Sequence, residues 1–180
     1  MRVLSTMAAI ALNSYDENGN PIPPIPVTQI EEFLGGLVYG LIQKDDLKEI
    51  ESCMTDADQV EKEVMEALND IMKGDIEDIL AGVEVIGTLL TELPADFKDC
   101  QATQADFQRI SNWLQAIVAD PLTFAKTVTV NLVKNFPKIT DDISATSADI
   151  GKNDYYTAGE DISDILVLTV GPVPEGMYLY

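Results

Sequence analysis

From Thr28 onward the chain alternates apolar and polar positions with a helical period. Ile30, Phe33, Leu34, Leu37, Val38 and Leu41 recur at i, i+3, i+4 and i+7, one face of an amphipathic helix. Thr28 followed by Glu31 reads as a capping box at its start. Gly35, Gly36 and Gly40 lie on or beside this stripe. Each costs about 1 kcal/mol of helix propensity, so their presence predicts a tight crossing with another helix. A short helix is expected from Asp45 to Cys53. A longer one follows from Asp56 to Met72, capped by Thr55, with Val60, Val64, Leu68 and Ile71 apolar. Lys73-Gly74 ends it, and Asp75 opens a helix running to Leu93, where Pro94 interrupts the pattern. Three more segments fit the same period: Gln104–Ala119, Leu122–Phe136 with Pro137 as its stop, and Lys138–Ile150. The last helix runs from Asp154 to Val170 and ends at Gly171-Pro172. The pattern is all-α, a multi-helix up-and-down bundle. Strands are plausible only at the two ends.

The hairpin formed by 56–72 and 75–93 bears on the two cysteines. A two-residue connection forces its helices antiparallel. Cys53 lies just before the first helix and Cys100 shortly beyond the second, so both fall at the same end. A disulfide there would staple the hairpin. The alternative is a free, reactive thiol, but the surrounding acids (Glu49, Glu51 and Asp56; Asp96 and Asp99) would raise a thiol pKa rather than lower it.

A shift of 79 positions, the distance from Val64 to Ile143, aligns this hairpin with the last one. Lys73 and Asp75 meet Lys152 and Asp154. Val83, Ile86 and Leu89 meet Ile162, Ile165 and Leu168. Two pseudo-repeated hairpins packed side by side are expected. The bundle domain is placed at residues 28–172, preceded by a Pro-rich extended lead-in at 15–27 and followed by a tail at 173–180.

Charge changes the functional picture. The chain carries 31 acids against 11 bases, a net charge of −20, and no histidine. Such a surface repels phosphate backbones and anionic headgroups, which argues against nucleic acid and electrostatic membrane binding. The missing histidine removes Ser-His-Asp and Cys-His catalysis and histidine metal ligation. With no C-x-x-C and no histidine, a zinc site is not expected. Asp16, Asn18 and Asn20 sit at spacing two, like a calcium loop. The glycine, Gly19, stands at the fourth position rather than the sixth, and Val27 occupies the place of the bidentate glutamate.

Residues 1–14, "MRVLSTMAAIALNS", combine one basic residue, an apolar run and Ala9-Ile10-Ala11 as a small-x-small pattern. They read as a short secretory signal, with a buried N-terminal strand or helix as the alternative. No uncharged apolar run is long enough to span a bilayer.

Together, "EEFLGGLVYGL", Cys53, "ELPADFKDC" and "NDYYTAGEDISDIL" resemble an uncharacterised group of small, acidic, helical secreted proteins of ciliated protozoa. The resemblance covers Glu31 to Pro172. It implies a helical bundle with one disulfide, extracellular or held in a secretory vesicle, and supplies no activity.

Three functions fit these residues. The first is a non-catalytic structural or interaction protein, secreted or vesicular, with a protein partner or self-association and weak, diffuse calcium binding by surface carboxylates. Tyr156, Glu160 and Asp161 are its candidate contact surface. The second is a carrier whose interior receives a lipid or other apolar ligand, lined by Phe33, Tyr39, Trp113 and Phe124. The third is a carboxylate hydrolase using Asp141, Asp142, Glu160 and Asp161. Residues adjacent on a helix point about 100° apart, so neither sequence-adjacent pair can flank one bond alone. No cofactor is expected.

Overall fold

The computed structural model describes residues 25–54 and 57–175. The signal-like segment, most of the Pro-rich lead-in, the cap expected at Thr55 and the last five residues lie outside them. Seven helices make up the described residues: α1 (Val27–Ile42), α2 (Leu47–Cys53), α3 (Asp58–Lys73), α4 (Ile76–Asp96), α5 (Gln104–Val118), α6 (Pro121–Gly151) and α7 (Tyr155–Val170). The chain is all-helical there, as the apolar period predicts, and no strand is found among the described residues.

Two hairpins, α3–α4 and α6–α7, frame the bundle, and α1 closes onto α7, so the first and last helices pack together. α5 packs on α4 and meets α6 at a bend of 100°. The tail returns to α5, where Arg109 donates from Nη2 to the Pro174 carbonyl at 2.9 Å. The core is continuous across the helices and includes Phe33, Leu37, Val64, Ile71, Ile86, Leu90, Phe107, Leu132, Ile162 and Ile165. Among the described residues no single helix is long and apolar enough to cross a membrane.

The α1–α7 crossing explains the glycines. A Cβ on Gly36 would lie 1.8 Å from the Tyr156 carbonyl oxygen, and one on Gly159 would lie 2.2 Å from that of Phe33. Gly40 faces Ser163 in the same way, at 1.7 Å from its Oγ. The small residues of one helix thus receive the backbone or short side chain of the other.

The shift of 79 holds in three dimensions. Val60, Val64 and Ala67 are buried, as are Ile139, Ile143 and Thr146 at the shifted positions. The same is true of Ile79, Val83, Ile86 and Leu90 against Ala158, Ile162, Ile165 and Thr169. Both turns carry a left-handed residue at the equivalent place, Gly74 (φ 79°) and Asn153 (φ 60°). Each is preceded by an i,i+3 ion pair, Asp70–Lys73 at 2.9 Å and Asp149–Lys152 at 3.0 Å. The correspondence therefore extends from core to turn to surface pair.

Cys53 and Cys100 are joined, with their Cα atoms 5.6 Å apart, and no cysteine is free among the described residues. The bond ties α2 to the turn between α4 and α5.

Three local expectations fail. Pro137 does not stop a helix: α6 runs through it as one helix of 31 residues. Proline removes one N–H, leaving the Val133 carbonyl without its intrahelical partner. Both residues are on the exposed side, so water can satisfy that carbonyl. The buried side is tied to α7 just upstream, where Asn131 and Asn135 donate to the carbonyls of Thr169 and Leu168 at 2.9 and 3.0 Å. Pro94 likewise lies inside α4, which continues to Asp96. The capping box at Thr28 does not form either, because α1 begins at Val27 and Pro26 takes the cap position. Thr28 is already in the first turn, and Glu31 is buried at 7% exposure.

Candidate functional site

The start of α7 carries the residues with most chemistry. Asp154 caps the helix, accepting from the Thr157 N–H at 3.1 Å and from its hydroxyl at 2.9 Å. Tyr155, Ala158, Ile162 and Ile165 form the buried stripe. Tyr156 is half-buried: its ring lies 6.2 Å from that of Tyr39, tilted by 40°, against the Gly35 backbone. Burial pushes its phenol up to about 12, reinforced by Asp45, Glu160 and Tyr39. It is therefore a protonated hydroxyl at any physiological pH and offers neither a base nor a nucleophile.

Glu160 and Asp161 go to different neighbourhoods, as adjacent helical positions must. Glu160 contributes to the charge around Tyr156 on the α1–α2 side. Asp161 turns to the α6 seam. Its carboxyl is pushed up to about 7 by burial first, then by the charge of Asp149 and a hydrogen bond with it, then by Asp142 and Asp164. Asp142, on α6, is pushed up to about 6 by burial, Asp164 and Asp141, with Lys138 pulling the other way. Lys138, Asp141, Asp142, Asp164, Val167 and Leu168 line an open cleft of about 320 Å³ on this seam.

Of the four carboxylates proposed for catalysis, the fold brings Asp142 and Asp161 together across the seam. It adds two that sequence reasoning missed, Asp149 and Asp164. Asp164 was detectable, since it stands three residues after Asp161 and so on nearly the same helical face.

The first hairpin holds a counterpart. Glu63 occupies the position equivalent to Asp142, and burial raises its carboxyl despite a hydrogen bond from Gln59, with Glu92, Asp96 and Glu66 adding to the rise. A third crowded acid, Asp46, is 1% exposed and pushed up to about 6 by burial and by Asp106. Lys44 lies 3.5 Å from it and also bonds Asp106. One carboxylate oxygen of each of Asp46, Glu63 and Asp161 is buried without a hydrogen-bond partner. Among the described residues no group of three or more His, Cys, Asp or Glu could hold a metal ion.

The four aromatics proposed to line a ligand cavity serve as packing. Phe33, Trp113 and Phe124 are buried members of the core, at 0%, 3% and 6% exposure. Tyr39 lies against Tyr156.

Neither a curated protein nor a solved structure matches the chain. The SctB-like family, described as secreted protein B-like, matches residues 13–169. The resemblance to secreted proteins holds at that level, and the match does not bear on ciliated protozoa. By this match, which spans most of its length, the chain belongs to the SctB-like family of secreted proteins.

Proposed function

We propose that this secreted-family protein acts as a non-catalytic structural or interaction protein of the extracellular space or secretory vesicle. One observation carries the reading: a half-buried, charge-crowded carboxylate recurs at equivalent positions of both hairpins, Glu63 and Asp142. The repeated helical architecture reproduces this carboxylate environment, so its raised pKa needs no catalytic role to explain it. Tyr156 and Glu160, half-buried at the α1–α2–α7 edge, are the first contact surface to test, with Asp161 on the neighbouring seam. Scattered surface carboxylates give weak, diffuse calcium binding at best.

A carboxylate hydrolase is the second reading. It rests on the cleft in which Asp142 and Asp164, both raised by burial, occur together. The lining offers no aromatic ring on which a sugar could stack.

The test is purification of the native protein from its source, followed by cross-linking, native mass spectrometry and a hydrolase screen with Asp142→Asn as control. Polypeptide-only complexes and no turnover are expected. A stoichiometric lipid would move the assignment to a carrier. Turnover abolished in D142N would move it to a hydrolase.

A further inference from the structure

The only long stretch of chain with several bases and no acid lies on α6. Between Pro121 and Thr140 there are three lysines, Lys126, Lys134 and Lys138, in a protein of net charge −20. All three are exposed. The same stretch holds the most exposed large apolar side chains among the described residues: Leu122 at 84%, Val133 at 61% and Val130 at 58%. At 100° per residue, Leu122, Lys126, Val130 and Val133 fall within one narrow stripe, with Lys134 at its margin. The buried side of α6, with Phe124, Val128 and Leu132, faces the opposite way. This is an apolar ridge set with lysines and left uncovered among the described residues.

Its complement lies on the same molecule. The turn into α4 exposes Ile76 at 38% between Asp75 and Glu77. With Gly74, Asp78 and Phe136 these residues line an open cleft of about 480 Å³. Asp78 is already paired with Lys73 at 3.1 Å, which leaves Asp75 and Glu77 as the acidic rim. The cleft sets Ile76 and Phe136 beside Asp75 and Glu77, where the ridge sets Leu122, Val130 and Val133 beside lysines. Phe136 and Leu122 sit on the same helix, about 21 Å apart along its axis.

We propose that the Leu122–Val130–Val133 ridge docks into the Asp75–Ile76–Glu77 cleft of a second copy of this chain. Ridge and cleft are different patches on one molecule, so the contact is heterologous, and repetition along α6 builds an open head-to-tail chain. The net charges of two copies repel, but that repulsion is screened beyond about 8 Å at physiological salt, while the lysine–acid contacts are local. A ridge-to-ridge pairing would instead set lysines against lysines.

The proposal deepens the interaction reading, and its test separates the two. Sedimentation velocity from micromolar to near-millimolar protein should show a ladder of oligomers for the wild type. The ridge variant L122E/V133E and the cleft variant D75K/E77K should each weaken self-association by about tenfold or more, because the apolar anchors and their desolvated rim carry most of such a contact. All four side chains are exposed, and circular dichroism should report unchanged helix. Mixing the two variants leaves one intact ridge and one intact cleft, so a 1:1 pair should form and grow no further. A wild type that stays monomeric overturns the docking. So does assembly blocked by the ridge variant but not by the cleft variant. So does ridge-dependent binding to phosphatidylserine vesicles by a monomeric wild type, which would name a lipid surface as the occupant. The interaction reading itself falls only if native complexes are absent as well.

Discussion

Gly36 and Gly159 bring the α1 and α7 backbones to a separation that no other residue type permits. The atoms that a new Cβ would strike are main-chain atoms, Tyr156 O for Gly36 and Phe33 O for Gly159, so no rotamer change relieves the clash. Gly36→Ala and Gly159→Ala should each destabilise the fold by about 1–3 kcal/mol or more, as overpacking of a tight contact does. Thermal melts would read this as a lower Tm. Gly87 is the internal control: a Cβ there meets nothing within 4 Å. It lies inside α4, where Gly→Ala gains about 0.5–1 kcal/mol of helix stability. Gly87→Ala should therefore raise the Tm. A common fall in all three variants would mean that helix packing around α4 and α7 differs from the geometry described. The glycines were legible in the sequence because their propensity cost needed a reason. Less legible was the environment of Tyr156, since its cover comes from Tyr39 and Gly35, more than a hundred residues away in sequence.

Helices were legible wherever the apolar stripe and its stop agreed, and lost where a proline falls outside the buried stripe. Pro137 and Pro94 break the hydrogen-bond ladder locally, yet the buried stripes continue past both: Leu132 is followed by Ile139 and Ile143, and Leu93 by Phe97. Packing on a neighbouring helix outweighs one missing bond, a balance that a local pattern cannot report. The acid seams were less visible still, because only the pairing of α6 with α7 brings Asp142 and Asp149 against Asp161 and Asp164. That pairing has a pH signature. Asp161 and Asp142 rise from the ordinary 3.8 to about 7 and about 6 in the folded chain, from burial first and neighbouring carboxylates second. The fold holds these protons more tightly than the unfolded chain does. The resulting stabilisation is complete below about pH 4 and is lost as the pH rises through about 6 to 7. Facing the pair are Asp141 and Asp149 from α6, Asp164 from α7, and the cations Lys138 and Lys152, the latter bonded to Asp149. The Tm should be higher at pH 5 than at pH 8. Asp161→Asn should raise the Tm at pH 8 and flatten the profile, and a profile with the opposite slope would contradict the seam geometry.

At the scale of the molecule, the disulfide decides which parts depend on which. Cys53 and Cys100 are separated by 47 positions, and the loop they close contains the whole α3–α4 hairpin. Closing a loop of that length stabilises by about 4 kcal/mol in the chain-entropy model, a large share of the roughly 5–15 kcal/mol that holds a domain together. The bond also anchors α2, a helix of seven residues with one buried side chain, Ile50. A helix that short is marginal alone and leans on its tether. By contrast, α1, α6 and α7 hold one another through the glycine crossing and the asparagine bonds to the α7 carbonyls, and none of them lies inside the closed loop. Reduction, or Cys53→Ala with Cys100→Ala, should therefore act unevenly. The Tm should fall in line with a loss of about 4 kcal/mol, while hydrogen exchange accelerates first in α2 and the 97–103 turn, then across α3–α4. The α1–α6–α7 layer should keep its protection to higher denaturant. Exchange that rises equally everywhere would show a single cooperative unit in which the staple has no local address. An unchanged Tm would show that the unfolded chain already holds its two cysteines close.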